Sequence, residues 1–186
     1  MANRNTQGFG LIAAGTLGST PATSGQGKYK IDAGSSTTIF HGGAVASADG
    51  YIVEGQGTDT KILGVLNGIF YNAATTLKPT FANHYVQVTP ANSEDIDAFV
   101  FDNPQQQYVV SIDNTLAQAG YLETYDMNVS AGSLTTGQSS ATLDHDDTSA
   151  DGASWRLLRS AEDPENDENA AFRSVVVVAN LTELQN

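Results

Sequence analysis

The feature that most constrains the fold of this chain is a series of short runs rich in Val, Ile, Tyr and Phe, separated by clusters of Gly, Asn, Asp and Ser. Short β-forming runs with turn residues between them are typical of all-β proteins. At this spacing they indicate a single small β-barrel or sandwich-like domain rather than a parallel sheet. The predicted strands are 28–32, 37–45, 51–54, 62–71, 96–102, 108–113, 126–130, 141–144, 154–160 and 172–179.

Alternation within these runs predicts which side chains face the core. In "KYKID" the side chains of Tyr29 and Ile31 share one face of a strand. In "IDAFVFD" we expect Phe99 and Phe101 to point into the core. The run "SVVVVAN" is apolar on both faces, which predicts that residues 175–178 form a central strand covered on two sides.

The acidic residues are unevenly distributed along the chain. The first 31 residues contain no Asp or Glu and carry +3 through Arg4, Lys28 and Lys30. The whole chain has a formal net charge of −13, so the remaining residues carry −16. Because residues 1–27 are rich in Gly, Ser, Thr and Ala, they bury little surface alone. We therefore predict an extended N-terminal arm at 1–27 and a β-domain at 28–186.

The charge balance excludes some partners. A surface that binds the phosphate backbone of a nucleic acid needs clustered Lys and Arg. Residues 32–186 contain only five basic residues, and these are scattered. No run approaches the roughly 18 apolar residues of a membrane-spanning helix. We therefore expect neither nucleic acid nor a membrane as a partner. The absence of Cys rules out disulfides and thiolate metal sites.

Two stretches, "DHDDTSADG" and "AEDPENDENAA", concentrate carboxylates near the C-terminal end. A calcium loop of the EF-hand type needs a glycine at its sixth position and a glutamate at its twelfth. Counted from Asp144, these positions hold Ser149 and Trp155, so the template fails. We expect 144–151 and 162–168 to be exposed acidic loops without a tight metal site, and we predict no cofactor.

No catalytic arrangement can be read from the sequence. The three histidines are His41, His84 and His145, and no GxSxG motif surrounds any serine. The stretch "SEDIDAF" offers Glu94, Asp95 and Asp97 as carboxylates for glycoside hydrolysis, but acids that solubilise a loop and begin a strand explain it better. We therefore predict that the protein is not an enzyme.

Two longer stretches resemble capsid decoration proteins of tailed bacteriophages, also called cement or head-stabilising proteins. "TTIFHGGAVASADGYIVEGQGTDTKILGVLNGIFY" resembles the first half of their small β-barrel. "SLTTGQSSATLD", followed by "WRLLRSAEDPENDENAAFRSVVVVAN", resembles the second half, with its turn, its "RLLR" strand and its closing valine strand. The resemblance covers roughly residues 28–180 and implies that 28–186 is a β-barrel decoration domain.

The resemblance implies a structural virion protein. Such proteins are made in the host cytoplasm, bind the outer surface of the capsid and stabilise the head shell. The partner would be the major capsid protein, with self-association as a trimer or dimer on the capsid. The N-terminal arm would dock onto capsid subunits, and its expected contact residues are Arg4, Phe9, Leu11, Ile12 and Leu17.

Two other classes of function stay open at this point. One is a carbohydrate- or surface-binding β-sandwich module of a phage fibre or a cell-surface protein. The other is a hydrolase that uses loop carboxylates, for which Asp95 or Asp97 would be essential.

Overall fold

A computed structural model describes residues 3, 7–18, 25–57, 61–129, 132–148 and 152–185 of the 186-residue chain. Within these ranges the protein is built from short β-strands, with 3₁₀ turns at Ala91–Ser93 and Gln118–Gly120. The strands are β1 (Ile12–Thr16), β2 (Gly27–Ile31), β3 (Ala44–Ala48), β4 (Tyr51–Glu54), β5 (Gly64–Asn72), β6 (Pro79–Ala82), β7 (Ile96–Phe101), β8 (Gln106–Ser111), β9 (Thr124–Asn128), β10 (Thr142–Thr148), β11 (Trp155–Ser160) and β12 (Ser174–Ala179).

The strands form two antiparallel sheets. The first has the order β1-β8-β12-β11-β9-β10, and the second has the order β2-β7-β5-β3-β4, with β6 paired to β5. The all-β prediction is confirmed. Of its two forms the structure has the sandwich-like one, because the described strands make two packed sheets and no closed barrel.

Each sheet has its own apolar cluster. The first cluster is centred on Trp155, whose ring meets the ring of Tyr108 edge-on at a centroid distance of 5.6 Å. Ile62 and Val65 join this cluster from the side of the second sheet, so it also lies between the two sheets. The second cluster packs on the second sheet alone and contains Ile31, Ile39, Val45, Ile52, Leu63, Leu66, Ile69, Tyr85, Ile96, Ala98 and Val100.

The valine strand occupies the predicted position. Strand β12 lies between β8 and β11, and residues 175–178 are all buried. The expectation for β7 is correct only in part. Ala98 and Val100, on one face, are fully buried, whereas Phe99 and Phe101, on the other face, are half-buried. Phe101 packs against the first cluster, as expected for a core residue, and Phe99 belongs to neither cluster. Both faces of this strand are apolar, and the second cluster takes the smaller side chains.

The N-terminal region also differs from the prediction of an arm that is separate from the domain. Strand β1 belongs to the first sheet and pairs antiparallel with β8, with Ile12 opposite Val109. The side chain of Leu11 lies in the first apolar cluster and is 2% exposed. The division at residue 27 therefore does not match the sheet, because part of the expected arm is a strand of the domain.

The two acidic stretches differ from each other. The first begins inside β10, so residues 144–148 are in a strand rather than a loop, while residues 149–151 lie outside the described ranges. The second, 162–168, is the expected exposed loop between β11 and β12. Among the residues that the structure describes, no helix is long and apolar enough to cross a membrane.

Candidate docking surface at the N-terminal strand

The five residues that were expected to contact a capsid differ in their environments. Arg4 lies outside the described residues. Leu11 is in the core, and Phe9 and Leu17 are half-buried. Ile12 is the one whose side chain is largely in solvent, with 50% of its surface exposed. Of the four described residues, Ile12 is therefore best placed to contact a partner.

Among the strands that the structure describes, β1 is the end strand of the first sheet. Its inner side is hydrogen-bonded to β8, with an irregularity in the register between Ala13 and Gly15. An edge strand presents backbone N–H and C=O groups that can pair with a strand from another chain. Proteins commonly protect such an edge with charged residues, and β1 has the uncharged sequence IAAGT.

The chain reaches β1 through a close approach that only glycine permits. Gly10 has a φ of +74°, and a Cβ atom there would lie 2.8 Å from the carbonyl oxygen of Gly42. At this point the Gly10 amide donates to the Ala141 oxygen at 3.1 Å, and the Leu11 amide donates to the Gly42 oxygen at 2.8 Å. These bonds fix residues 8–11 against two distant segments of the chain.

Further bonds join these segments into one surface. The Gln138 side-chain amide donates to the Phe9 oxygen at 2.7 Å, and the Asn83 side-chain amide donates to the Thr136 oxygen at 2.7 Å. The His41 amide donates to the Gly137 oxygen at 2.9 Å. We call segments 8–17, 39–43, 81–85 and 132–141 the uncharged face, because they contain no Asp, Glu, Lys or Arg.

Sequence reasoning found only the first segment of this face. The other three lie within stretches 33–48, 60–93 and 127–143, which also contain no Asp or Glu. These gaps are visible in the sequence, but their convergence depends on contacts between residues far apart in the chain. The uncharged face thus extends the acid-free N-terminal stretch into a larger surface.

Exposed large apolar side chains occur in the acid-free stretches and also outside them. Among the described residues, six large apolar side chains are strongly exposed. Four of them, Ile12, Leu77, Phe81 and Leu134, lie in acid-free stretches, and the other two are Leu122 and Leu184. Three of the six, Ile12, Phe81 and Leu134, lie on the uncharged face.

The carboxylates that could have served a hydrolase are engaged in structural bonds. Asp97 lies 2.7 Å from the Lys28 ammonium and 2.6 Å from the Lys30 ammonium. Burial by itself would raise the pKa of Asp97, but the hydrogen bonds from the two lysines outweigh it, and the pKa is lowered. Asp95 accepts a hydrogen bond from the Tyr51 hydroxyl at 3.2 Å. A carboxylate held ionised between two ammonium groups is a weak general base.

The histidines each have a partner of their own. The His41 Nδ1 atom lies 2.9 Å from the Asn67 oxygen, and the His145 Nδ1 atom lies 3.0 Å from an Asp146 oxygen. The His84 ring stacks on the Phe40 ring at a centroid distance of 5.9 Å. Across the described ranges, no three His, Asp or Glu side chains are grouped so that they could hold a metal ion.

Comparison with known proteins gave no match to a family model, to a curated protein or to a solved structure. The surface that distinguishes the described part of the chain is the uncharged face, with β1 at the end of its sheet.

Proposed function

We propose that this chain is a structural virion protein that binds the outer surface of a phage capsid and stabilises the head shell. The observation that carries the proposal is the uncharged strand β1, the end strand of its sheet among the described strands, with Ile12 half exposed, on a protein of net charge −13. The resemblance of residues 28–180 to phage decoration proteins supports it. The partner is the major capsid protein.

Docking occurs by addition of a capsid strand to the outer edge of β1, beside Ile12 and Ala14. Strand addition gains main-chain hydrogen bonds, and alternate side chains supply specificity. Ile12 and the exposed Ala14 provide the apolar contacts, whereas Leu11 stays in the core and is not a contact. The acidic remainder of the surface stays in solvent and suppresses non-specific association.

An ordered edge lowers the cost of docking. An arm that becomes ordered only on binding loses about 1–2 kcal/mol of backbone entropy per residue. Strand β1 is already paired with β8, so its residues lose this entropy during folding and the strand is preorganised for docking.

The proposal is tested by co-sedimentation with expanded capsid shells of the phage that encodes the chain. We expect the intact chain to sediment with the shells and the Ile12→Asp variant to bind about tenfold or more weakly, because it places a charge at the docking edge. Leu122→Asp is the matched control, since Leu122 is an exposed leucine outside the uncharged face. An intact chain that stays in the supernatant, or equal binding of both variants, contradicts the proposal.

A second candidate function is favoured by one cleft on the second sheet. The cleft has a volume of about 280 Å³ and is lined by Phe70, Tyr71 and Asn72, with Glu94 and Asp95 beside them. Aromatic rings next to amide and carboxylate groups suit a carbohydrate-binding module. Binding on a glycan array that is lost in Phe70→Ala, together with no binding to shells, would favour this function over the first.

A further inference from the structure

One face of the second sheet carries a continuous row of side chains across four strands. Phe70 of β5 lies directly opposite Phe81 of β6 on one side and Asp97 of β7 on the other, and Asp97 lies directly opposite Lys30 of β2. Residues directly opposite one another in an antiparallel pair share a face of the sheet. The Phe70 and Phe81 rings are in contact at a centroid distance of 4.7 Å. Phe70 therefore lies between an aromatic neighbour and a charged one.

The cleft with a volume of about 280 Å³ lies beside the charged end of this row. Besides Lys30, Phe70 and Asp97, it is lined by Asn72, Glu94 and Asp95. Pockets that bind drug-sized ligands measure about 300–1,000 Å³. The cleft is therefore large enough for a ligand about the size of one sugar ring.

Two of the three carboxylates in the cleft are not paired with a basic side chain. Asp97 pairs with both Lys28 and Lys30, whereas no Lys or Arg of the described residues pairs with Glu94 or Asp95. The pKa of Lys30 is raised, chiefly by its hydrogen bond to Asp97 and further by the negative charges of Asp95 and Glu94. A second cation placed beside Glu94 and Asp95 would be stabilised by the same carboxylates.

The other groups in the cleft limit what kind of cation fits. Asn72 is half-buried and its side-chain amide makes no hydrogen bond with the described residues, so it can donate to one hydroxyl group and accept from another. The Phe70 ring offers an apolar surface to C–H groups. A lysine side chain from a peptide would bring an ammonium group but no hydroxyl for Asn72. A sugar ring with a free amino group brings C–H groups, hydroxyls and an ammonium together.

We propose that this cleft binds an amino sugar whose free ammonium group pairs with Glu94 and Asp95. The C–H face of the sugar ring lies on Phe70, and a hydroxyl group bonds to Asn72. The inference rests on the second candidate function, carbohydrate binding at this cleft, and names its ligand class. Sugars that carry a carboxylate or a sulfate are excluded, because like charges across a contact are unfavourable.

The test compares two ligands of nearly the same size, the methyl glycosides of glucosamine and of glucose, in which an ammonium group replaces one hydroxyl. NMR chemical-shift titration of the purified intact chain measures weak binding of this kind. We expect the glucosamine glycoside to bind about fivefold or more tightly, because hydrogen bonds between ionised groups are stronger than neutral ones. High salt should reduce the preference, and a pH at which the amino group is neutral should remove it.

Three variants locate the effect in the cleft. Glu94→Gln keeps the size of the side chain and should remove most of the preference for the glucosamine glycoside while leaving the affinity for the glucose glycoside unchanged. Phe70→Ala should abolish the binding of both ligands. Glu162→Gln removes an exposed carboxylate from the loop between β11 and β12 and should bind both ligands like the native chain. Circular dichroism confirms that each variant is folded.

Equal affinities of the native chain for the two glycosides would overturn the amino-sugar assignment and leave carbohydrate binding standing. The absence of binding by either glycoside would overturn both. Nα-acetyl-lysine amide carries the ammonium group without a sugar ring. If it bound as tightly as the glucosamine glycoside, the cleft would be a peptide site and the proposal would be wrong. Equal losses in Glu94→Gln and Glu162→Gln would also contradict it, because they would show an effect of overall charge.

Discussion

Two exposed segments of the molecule, the acidic loop at 161–172 and the turn at 132–138, are held in place by different sets of hydrogen bonds. The turn is fixed by backbone bonds such as the one from the His41 amide to the Gly137 oxygen, and by Asn83 from a neighbouring segment. The acidic loop is held by buried side chains that form hydrogen bonds with its backbone. Asn3 donates to the oxygens of Ala171 and Asp167 and accepts from the Asp167 amide at 2.6 Å.

Arg173 is the second anchor of the acidic loop. Its guanidinium is buried, donates to the Glu168 oxygen at 2.6 Å and to the Tyr121 hydroxyl, and lies over the Tyr121 ring at 5.3 Å. The side chains of Glu162, Asp163 and Glu168 remain exposed. The comparison shows that a densely acidic loop can be ordered through its backbone oxygens, so its carboxylates can point to solvent.

The largest effect is expected from removing the arginine anchor. Arg173→Ala leaves the Glu168 oxygen and the Tyr121 hydroxyl without their donor in a buried site, which we expect to cost about 2–4 kcal/mol of unfolding free energy. Urea unfolding measures it. Arg159→Ala, at an exposed position of β11, is the control and should cost less than about 0.5 kcal/mol. Equal losses would mean that the loop does not depend on its buried anchor.

A nearly equal effect is expected at the start of β1. Leu11→Ala removes a core side chain and should cost about 2–4 kcal/mol, whereas Ile12→Ala, at a half-exposed position, should cost less than about 1 kcal/mol. Thermal and urea unfolding of the two variants check this. If both losses were small, residues 8–17 would be the free arm that the composition suggests, and the uncharged face would lack one of its four segments.

A smaller and more local effect is expected at Asn3. Asn3→Ala removes the side-chain bonds to the acidic loop and should cost about 1–2 kcal/mol. Amide hydrogen exchange should speed up at Asp167, whose N–H donates to Asn3, while the Gly137 amide of the turn stays unaffected. Faster exchange at both amides would mean that the two regions are not independently held.

The smallest effect concerns a carboxylate that, unlike those of the acidic loop, is paired with lysines. Because the pKa of Asp97 is lowered in the folded state, its pairing stabilises the protein above the ordinary Asp pKa of 3.8, and this stability is lost as the pH falls below it. Asp97→Asn should cost up to about 1 kcal/mol at neutral pH, since both lysines are well exposed.

The unfolding free energies of the native protein and of Asp97→Asn should converge at low pH, as measured by urea unfolding across the acid range. Glu162→Gln removes an exposed charge from the acidic loop and is the control. A constant difference between native and Asp97→Asn protein at every pH would show that the pairing contributes nothing.

The sequence predicts most strands because their signals are local. Strand β4 has the predicted bounds, since turn residues flank a short apolar run. The predicted strand 37–45 fails at Gly42, whose φ of +77° breaks the extended chain, and Ile39 makes only an isolated bridge with Tyr85. Strands β1 and β6 were not predicted. The first is rich in Ala and Gly and depends on pairing with β8, and the second begins with a proline, which edge strands tolerate.

The candidate site was predictable only in part. The acid-free N-terminal stretch can be read directly from the sequence, but Leu11 and Ile12 were expected to act alike. After the Gly10 turn the chain is extended and paired with β8, so successive side chains point to opposite faces: Leu11 lies in the core and Ile12 is half exposed to solvent. The contact between segments 81–85 and 132–141 depends on the bond between Asn83 and Thr136, which are more than fifty residues apart, so no local pattern could reveal it.

The single tryptophan gives the two cores distinguishable optical signals. Trp155 is fully buried in the cluster of the first sheet, so its emission reports the loosening of that cluster, whereas the second cluster contains no tryptophan. Circular dichroism averages over the strands of both sheets. Coincident fluorescence and dichroism transitions would mean that the sheets melt as one cooperative unit, whereas separated midpoints would identify which half of the sandwich melts first.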